Sequence, residues 1–97
     1  MGKVIFTISY DINPEKRSEY LALTQEMKQH LGQKYQNYSI FELKGKRNSF
    51  SEVFVCKSRE EYEQLEDQDE RTTELVGRLE GMLANGKMKY TTLIELE

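Results

Sequence analysis

The stretch Asn48–Glu61, NSFSEVFVCKSREE, sets an apolar strand directly before a helix start. Phe50, Val53, Phe54, Val55 and Cys56 crowd β-branched, aromatic and small apolar side chains too closely for one amphipathic face. That pattern predicts a central strand covered on both sides. Ser58 and Glu61 then follow with the S-x-x-E spacing of a capping box, in which each side chain can satisfy a backbone N–H at the helix start. The hydrophobic period therefore changes from 2 to 3.6 within about two residues.

Before this stretch, Lys3–Ile12 alternates, with Val4, Phe6, Ile8, Tyr10 and Ile12 on one face and Ile5, Thr7, Ser9 and Asp11 on the other. This predicts a first strand. Asn13-Pro14 reads as an N-cap followed by proline at the first helical position, where its missing N–H costs nothing. Tyr20, Leu23, Thr24, Met27 and Leu31 form one helical stripe, and Gly32 is the expected left-handed cap. Tyr38–Lys44 is a second strand, joined to the apolar one by the turn Gly45–Asn48, whose length suits an antiparallel hairpin. The charged tip, Lys44, Lys46 and Arg47, reads as a solvated turn.

After the capping box, Tyr62 and Leu65 give one helical turn, and the acidic run Glu66–Glu70 separates it from a longer helix. Asp67 and Glu70 have capping spacing, and Leu75, Val76, Leu79, Met82 and Leu83 supply the core stripe. Asn85-Gly86 is expected to close that helix before a last strand, Met88–Glu97. Gly77 and Gly81 sit inside the helix, where each costs about 1 kcal/mol relative to alanine. A close backbone approach would compensate for them.

The predicted order is βαββαβ in a single domain, residues 1–97. The fold class is α+β: a ferredoxin-like sandwich whose four-stranded antiparallel sheet has its first and third strands in the middle. Both helices cover one sheet face. The other keeps apolar residues drawn from Ile5, Ile40 or Phe41, Val53 or Phe54, and Leu93 or Ile94. Exposed apolar surface on that scale marks association, so a homodimer packed sheet to sheet is expected.

Composition narrows the function classes. A formal net charge of -3 and a pI near 5.3 give no basic footprint for nucleic acid and disfavour a membrane surface. The third strand also fails the RNA-recognition pattern: aligned on Phe50 and Val53, Glu52 falls where a stacking aromatic is needed. Cys56 is the single cysteine, which excludes an internal disulfide and fits a reducing compartment. The opening MGKVIFTI lacks the apolar run of a signal peptide, and Phe6 replaces the Ser or Thr of a myristoylation site. A cytoplasmic location is expected.

With its elements in place, the chain resembles the dimeric α+β barrel superfamily, which holds the antibiotic-biosynthesis monooxygenase-like and NIPSNAP-like small proteins. The element order carries the resemblance, together with the segments YDINPEKRSEYLAL (Tyr10–Leu23) and FSEVFVCKSREEYEQL (Phe50–Leu65). It implies two sheets closing into a barrel across a dimer, with a small-molecule pocket between sheet and helices or within the barrel. In monooxygenase-like members, oxygen chemistry runs on electron-rich substrates without metal or flavin. Where those members often carry an acidic residue, an aromatic residue and a later histidine, this chain has Phe54, Cys56 and Leu65, with Glu52 on the same strand face two residues early. There is no Trp, a residue of the haem-degrading relatives.

Few residues carry chemistry. His30 is the only histidine, and Glu26 lies one helical turn before it, so the pair could form an oriented general base. The simpler reading is a surface histidine at a helix C-terminus. Cys56 reads as a small core residue, since no basic neighbour would lower its pKa. Tyr10, Tyr38 and Tyr90 could hydrogen-bond a ligand, although strand-end packing explains them equally well. No metal-ligand spacing is present, and no cofactor is expected. The favoured function is a non-catalytic or accessory dimeric barrel that binds a small molecule or simply assembles. The alternative is a cofactor-independent monooxygenase or isomerase acting on a small aromatic or quinol-like substrate, with pocket residues drawn from Tyr10, Glu52, Cys56 and Tyr90.

Overall fold

A computed structural model describes residues 2–66 and 69–96. Strands β1 (Val4–Ile12), β2 (Tyr38–Glu42), β3 (Ser49–Cys56) and β4 (Leu83–Ile94) form an antiparallel sheet in the order β2-β3-β1-β4. Helices α1 (Arg17–Lys34) and α3 (Glu70–Glu80), with the short α2 (Arg59–Glu63), lie on one sheet face. The chain thus has the ferredoxin-like α+β architecture, its first and third strands central.

Register assigns every strand residue to a face. Val4, Phe6, Ile8 and Tyr10 pair with Cys56, Phe54, Glu52 and Phe50, so all eight point to the helices. Tyr38 and Ile40 extend that face on β2, and Met88, Tyr90 and Thr92 extend it on β4. The α1 stripe meets it: Tyr20, Leu23, Thr24, Met27 and Leu31 are all buried. Tyr20 is fully enclosed, its ring centroid 4.4 Å from that of Phe50. The opposite face carries Ile5, Phe41, Leu43, Val53, Val55 and Leu93. Phe41, Leu43 and Leu93 are more than half exposed, and Val53 and Val55 are half-buried.

The capping box lies where the sequence puts it. Ser58 Oγ accepts the Glu61 N–H at 3.2 Å, while Glu61 Oε2 accepts the Lys57 N–H at 3.1 Å, one residue further back than the usual reciprocal bond. Asn13 caps a 3-10 turn, Pro14–Lys16, that leads into α1.

Several local expectations are corrected. Gly32 does not end α1, which continues to Lys34 and closes in extended backbone at Tyr35, whose N–H reaches Leu31 O at 2.7 Å. The α3 cap is Asp69, which accepts the Thr72 N–H at 2.7 Å; Asp67 lies outside the described residues. Asn85-Gly86 does not close α3. That helix stops at Gly81, and Asn85-Gly86 forms an irregularity inside β4, where Gly86 takes φ 69° and the register against Tyr10 and Ile12 shifts. The strand therefore starts at Leu83, five residues before Met88. Gly77 has no close backbone neighbour: a Cβ built there meets nothing within 4 Å. Glu52 faces the helices, so the open face of β3 presents Ser51, Val53 and Val55 where the RNA-recognition comparison put Glu52.

Candidate functional site

Helix α3 leans mainly on α1 and touches the sheet sparingly. A cavity of about 430 Å³ remains between the helices and the sheet. Its floor comes from Phe6 and Ile8 of β1, Glu52 and Phe54 of β3, and Met88 and Tyr90 of β4. Its roof comes from Met27 and Leu31 of α1 and from Leu75, Val76 and Leu79 of α3. Tyr35, Tyr62, Leu65, Thr72 and Thr92 complete the wall. The volume lies in the lower half of the range for small-molecule pockets, roughly 300–1,000 Å³.

Glu52 is the one ionisable carboxyl in this wall, and it is 3% exposed. Both of its oxygens are held. Tyr38 donates its hydroxyl to Oε1 at 2.7 Å, and Tyr10 donates to Oε2 at 2.9 Å. Tyr10 and Tyr20 share a further hydroxyl–hydroxyl bond of 2.8 Å. Because Tyr10 spends its proton on Glu52, Tyr20 is the donor in that pair, and the chain of donation runs Tyr20 to Tyr10 to Glu52. Burial, reinforced by the Glu52 charge, pushes the Tyr10 and Tyr38 hydroxyls up, so they remain donors at any physiological pH. Burial also raises the Glu52 carboxyl, while the bonds from Tyr38 and Tyr10 pull it back. A buried carboxyl raised by desolvation beside a cavity is what a proton acceptor or polar anchor requires.

Aromatic rings ring the outer part. Phe6 stacks on Tyr90 with centroids 6.1 Å apart, meets Tyr62 edge-on at 5.8 Å and lies 5.9 Å from Phe54. Tyr35 meets Phe54 edge-on at 5.5 Å. Tyr62 Oη and Thr92 Oγ1 lie 3.1 Å apart at the exposed rim. Tyr90 is 61% exposed there, so its ring shields Phe6 while its hydroxyl stays near solvent.

No protein-family model matches the chain, and no curated protein matches it. Solved structures do. An antibiotic biosynthesis monooxygenase superposes with a TM-score of 0.73 at 20% identity, over 100% of this chain and 98% of that one. A NIPSNAP family protein from Agrobacterium tumefaciens C58 gives 0.71 at 18% identity, over 98% and 87% of the two chains. A dimeric ferredoxin-like protein of unknown function from Thermobifida fusca gives 0.67 at 11% identity, over 97% and 92%. The chain shares the ferredoxin-like α+β fold of these structures. Identities this low carry the fold alone, and any chemistry must come from this chain's own residues.

Within this fold, the structure brings Glu52, Tyr10 and Tyr38 together and sets Tyr90 at the mouth of the same cavity. His30 and Cys56 lie elsewhere. The Glu26–His30 pair does not form, because each residue serves the α1–α3 seam. Glu26 binds Arg78 at 2.6 Å and Arg71 at 2.8 Å, and these guanidiniums hold its carboxyl down to about 2. His30 Nε2 lies 3.1 Å from both Asp69 Oδ1 and Thr72 Oγ1. Cys56 is buried near the sheet end, and burial pushes its thiol up, away from nucleophilic use. Among the described residues no group of three or more His, Cys, Asp or Glu could hold a metal ion. No helix of the described residues is long and apolar enough to cross a membrane.

Tyr20 and Tyr35 are missing from the sequence-based set. Tyr20 was legible as core, but its hydrogen bond to Tyr10 needs the helix laid across the sheet. Tyr35 follows the end of α1 and belongs to no periodic pattern, so nothing local marks it.

Proposed function

We propose that this protein binds a small, mostly apolar molecule in the cavity between sheet and helices, with the molecule's polar group set against Glu52. One observation carries the reading: a cavity of about 430 Å³, walled mainly by apolar and aromatic side chains with Thr72 and Thr92, holds among its described lining residues a single buried carboxylate fixed by two phenolic donors. Apolar walls supply most of the affinity, and a few fixed polar groups supply orientation. The test is an amide NMR titration with small aromatic fragments. The expected shifts map to Phe6, Phe54, Leu75 and Met88, and disappear in Val76→Trp, which fills the space. Shifts confined to the outer surface, or unchanged by Val76→Trp, would remove the reading.

The proposed assembly is a homodimer joined through the open sheet face, where Ile5, Phe41, Val53 and Leu93 leave apolar surface uncovered. The dimeric ferredoxin-like protein of the same fold supports this. Light scattering after size exclusion gives the answer directly, since a monomer at micromolar concentration rules out this assembly.

A second reading is favoured by the Glu52 environment. A raised carboxyl against a cavity can take the hydroxyl proton of a phenol or quinol. The resulting oxyanion is electron-rich, as both an isomerisation and direct reaction with dioxygen require. Aerobic oxygen uptake with a panel of quinols and phenols tests it. The expected result is turnover lost in Glu52→Gln; full activity in that variant would take Glu52 out of the mechanism.

A further inference from the structure

The Glu52 site is electrostatically one-sided. Every group that touches the carboxylate is a neutral phenol, and no Lys, Arg or His stands among the described residues that line the cavity. Donation from Tyr20 through Tyr10, and from Tyr38, converges on the two carboxylate oxygens and stabilises the ionised form by hydrogen bonding. None of it supplies positive charge. A buried anion without a counter-ion leaves its desolvation penalty only partly offset. The cavity beside it is a place where a counter-charge can enter without rebuilding the core.

The walls suit such a charge. Phe6, Tyr35, Phe54, Tyr62 and Tyr90 offer ring quadrupoles, whose faces attract cations within about 6 Å. Met27 and Met88 add polarisable thioethers. The α3 side offers hydrocarbon from Leu75, Val76 and Leu79 and one hydroxyl, that of Thr72, already engaged by His30, so the rest of an entering molecule must be mostly apolar. Anions are disfavoured, because a carboxylate, phosphate or sulfate would meet Glu52 and find no cation. A neutral hydroxyl would add one more donor of the kind Tyr10 and Tyr38 already provide, and would leave the charge uncompensated.

We infer that the ligand of this cavity is an organic ammonium ion: one protonated amine, paired with Glu52 and flanked by aromatic rings, on a compact apolar or aromatic body. The inference rests on the cavity being a binding site, as proposed above, and adds the chemical class of what it binds.

A matched set of probes separates the two claims. Phenethylamine, phenethyl alcohol, 4-ethylphenol and 3-phenylpropionate share a body and differ in their polar group, and each is titrated by amide NMR into the full-length protein. The amine is expected to bind at least about tenfold more tightly than the alcohol or the phenol, a difference of about 1.4 kcal/mol, and the carboxylate not at all. Glu52→Gln should bring amine and alcohol to parity, the amine losing at least about tenfold more affinity than the alcohol. Should that core variant fail to fold, Tyr90→Leu at the exposed rim serves instead, weakening the amine by about two- to fivefold and the alcohol by less. Tighter binding of the phenol than of the amine overturns the ammonium assignment, keeps the binding site and favours the proton-acceptor reading. Equal binding of amine and alcohol, or an amine preference that survives Glu52→Gln, also overturns it. If no probe shifts a cavity resonance, the binding reading falls as well.

Discussion

Tyr38→Phe tests the centre of the site, because it removes one hydroxyl and nothing else. That hydroxyl donates to Glu52 Oε1 at 2.7 Å, while the ring lies 4.8 Å from the Phe54 centroid, a contact phenylalanine retains. The loss is therefore one hydrogen bond to a carboxylate. Such a bond contributes about 1.5–3 kcal/mol when the acceptor is ionised and about 0.5–1.5 kcal/mol when it is neutral. Tyr38 is half-buried, which favours the lower part of each range. A loss of about 2 kcal/mol in a domain of this size lowers Tm by about 8–16 °C.

The pH dependence follows from the sign of the Glu52 shift. Burial raises the folded-state pKa, so the folded protein holds the proton more tightly than the unfolded chain. The stability contributed by protonated Glu52 is fully present below the unfolded-state value of about 4.3 and is lost as pH rises through the folded value. Removing the Tyr38 bond raises the folded value further and extends that loss to higher pH. The gap between wild type and Tyr38→Phe is thus small in acid and widens until Glu52 is ionised in both. Urea unfolding followed by circular dichroism, from about pH 4 to about pH 8, measures it. A double-mutant cycle with Glu52→Gln isolates the pair. A gap that is constant with pH, or the same in the Glu52→Gln background, would refute the assignment of Tyr38 as donor to an ionisable Glu52.

Three further outcomes are expected. Gly77→Ala, at a helical position where a Cβ meets nothing within 4 Å, should stabilise the fold by about 1 kcal/mol in urea unfolding; no gain would mean that the position has a contact absent from this structure. Cys56 should resist a thiol reagent in the native state and react at once in denaturant, since it is 2% exposed with its thiol raised by burial; fast native labelling would contradict its placement. Val53→Arg, at the centre of the open sheet face, should convert the proposed homodimer to monomer in light scattering while leaving the far-UV spectrum unchanged.

Local signals determined most of the fold. The alternation Val4-Phe6-Ile8-Tyr10-Ile12, the stripe Tyr20-Leu23-Thr24-Met27-Leu31 and the Ser58–Glu61 box each rest on neighbours within about one turn or one pleat, so the sequence contains all they need. Two element ends, at Gly32 and Asn85-Gly86, differ from the local signals. Helix α1 runs past its glycine with Leu31 buried, and Asp69, which caps α3 through Thr72, also lies 3.1 Å from His30 and 3.5 Å from Lys34 of α1.

The site divides in the same way. Alternation along Phe50-Glu52-Phe54-Cys56 was enough to set Glu52 on the same strand face as Phe54, and the tyrosines were visible as candidates. Only the tertiary structure decided that this face is the helix side, because the sheet register and the side on which helices pack are properties of pairs of elements. The same register gathers Tyr10 and Tyr38 on Glu52 from 42 and 14 positions away, and laying α1 across the sheet adds Tyr20. The cavity is further still from local reading: it exists because α3 rests on α1 and stands off from the sheet, and no stretch of sequence records a space between elements.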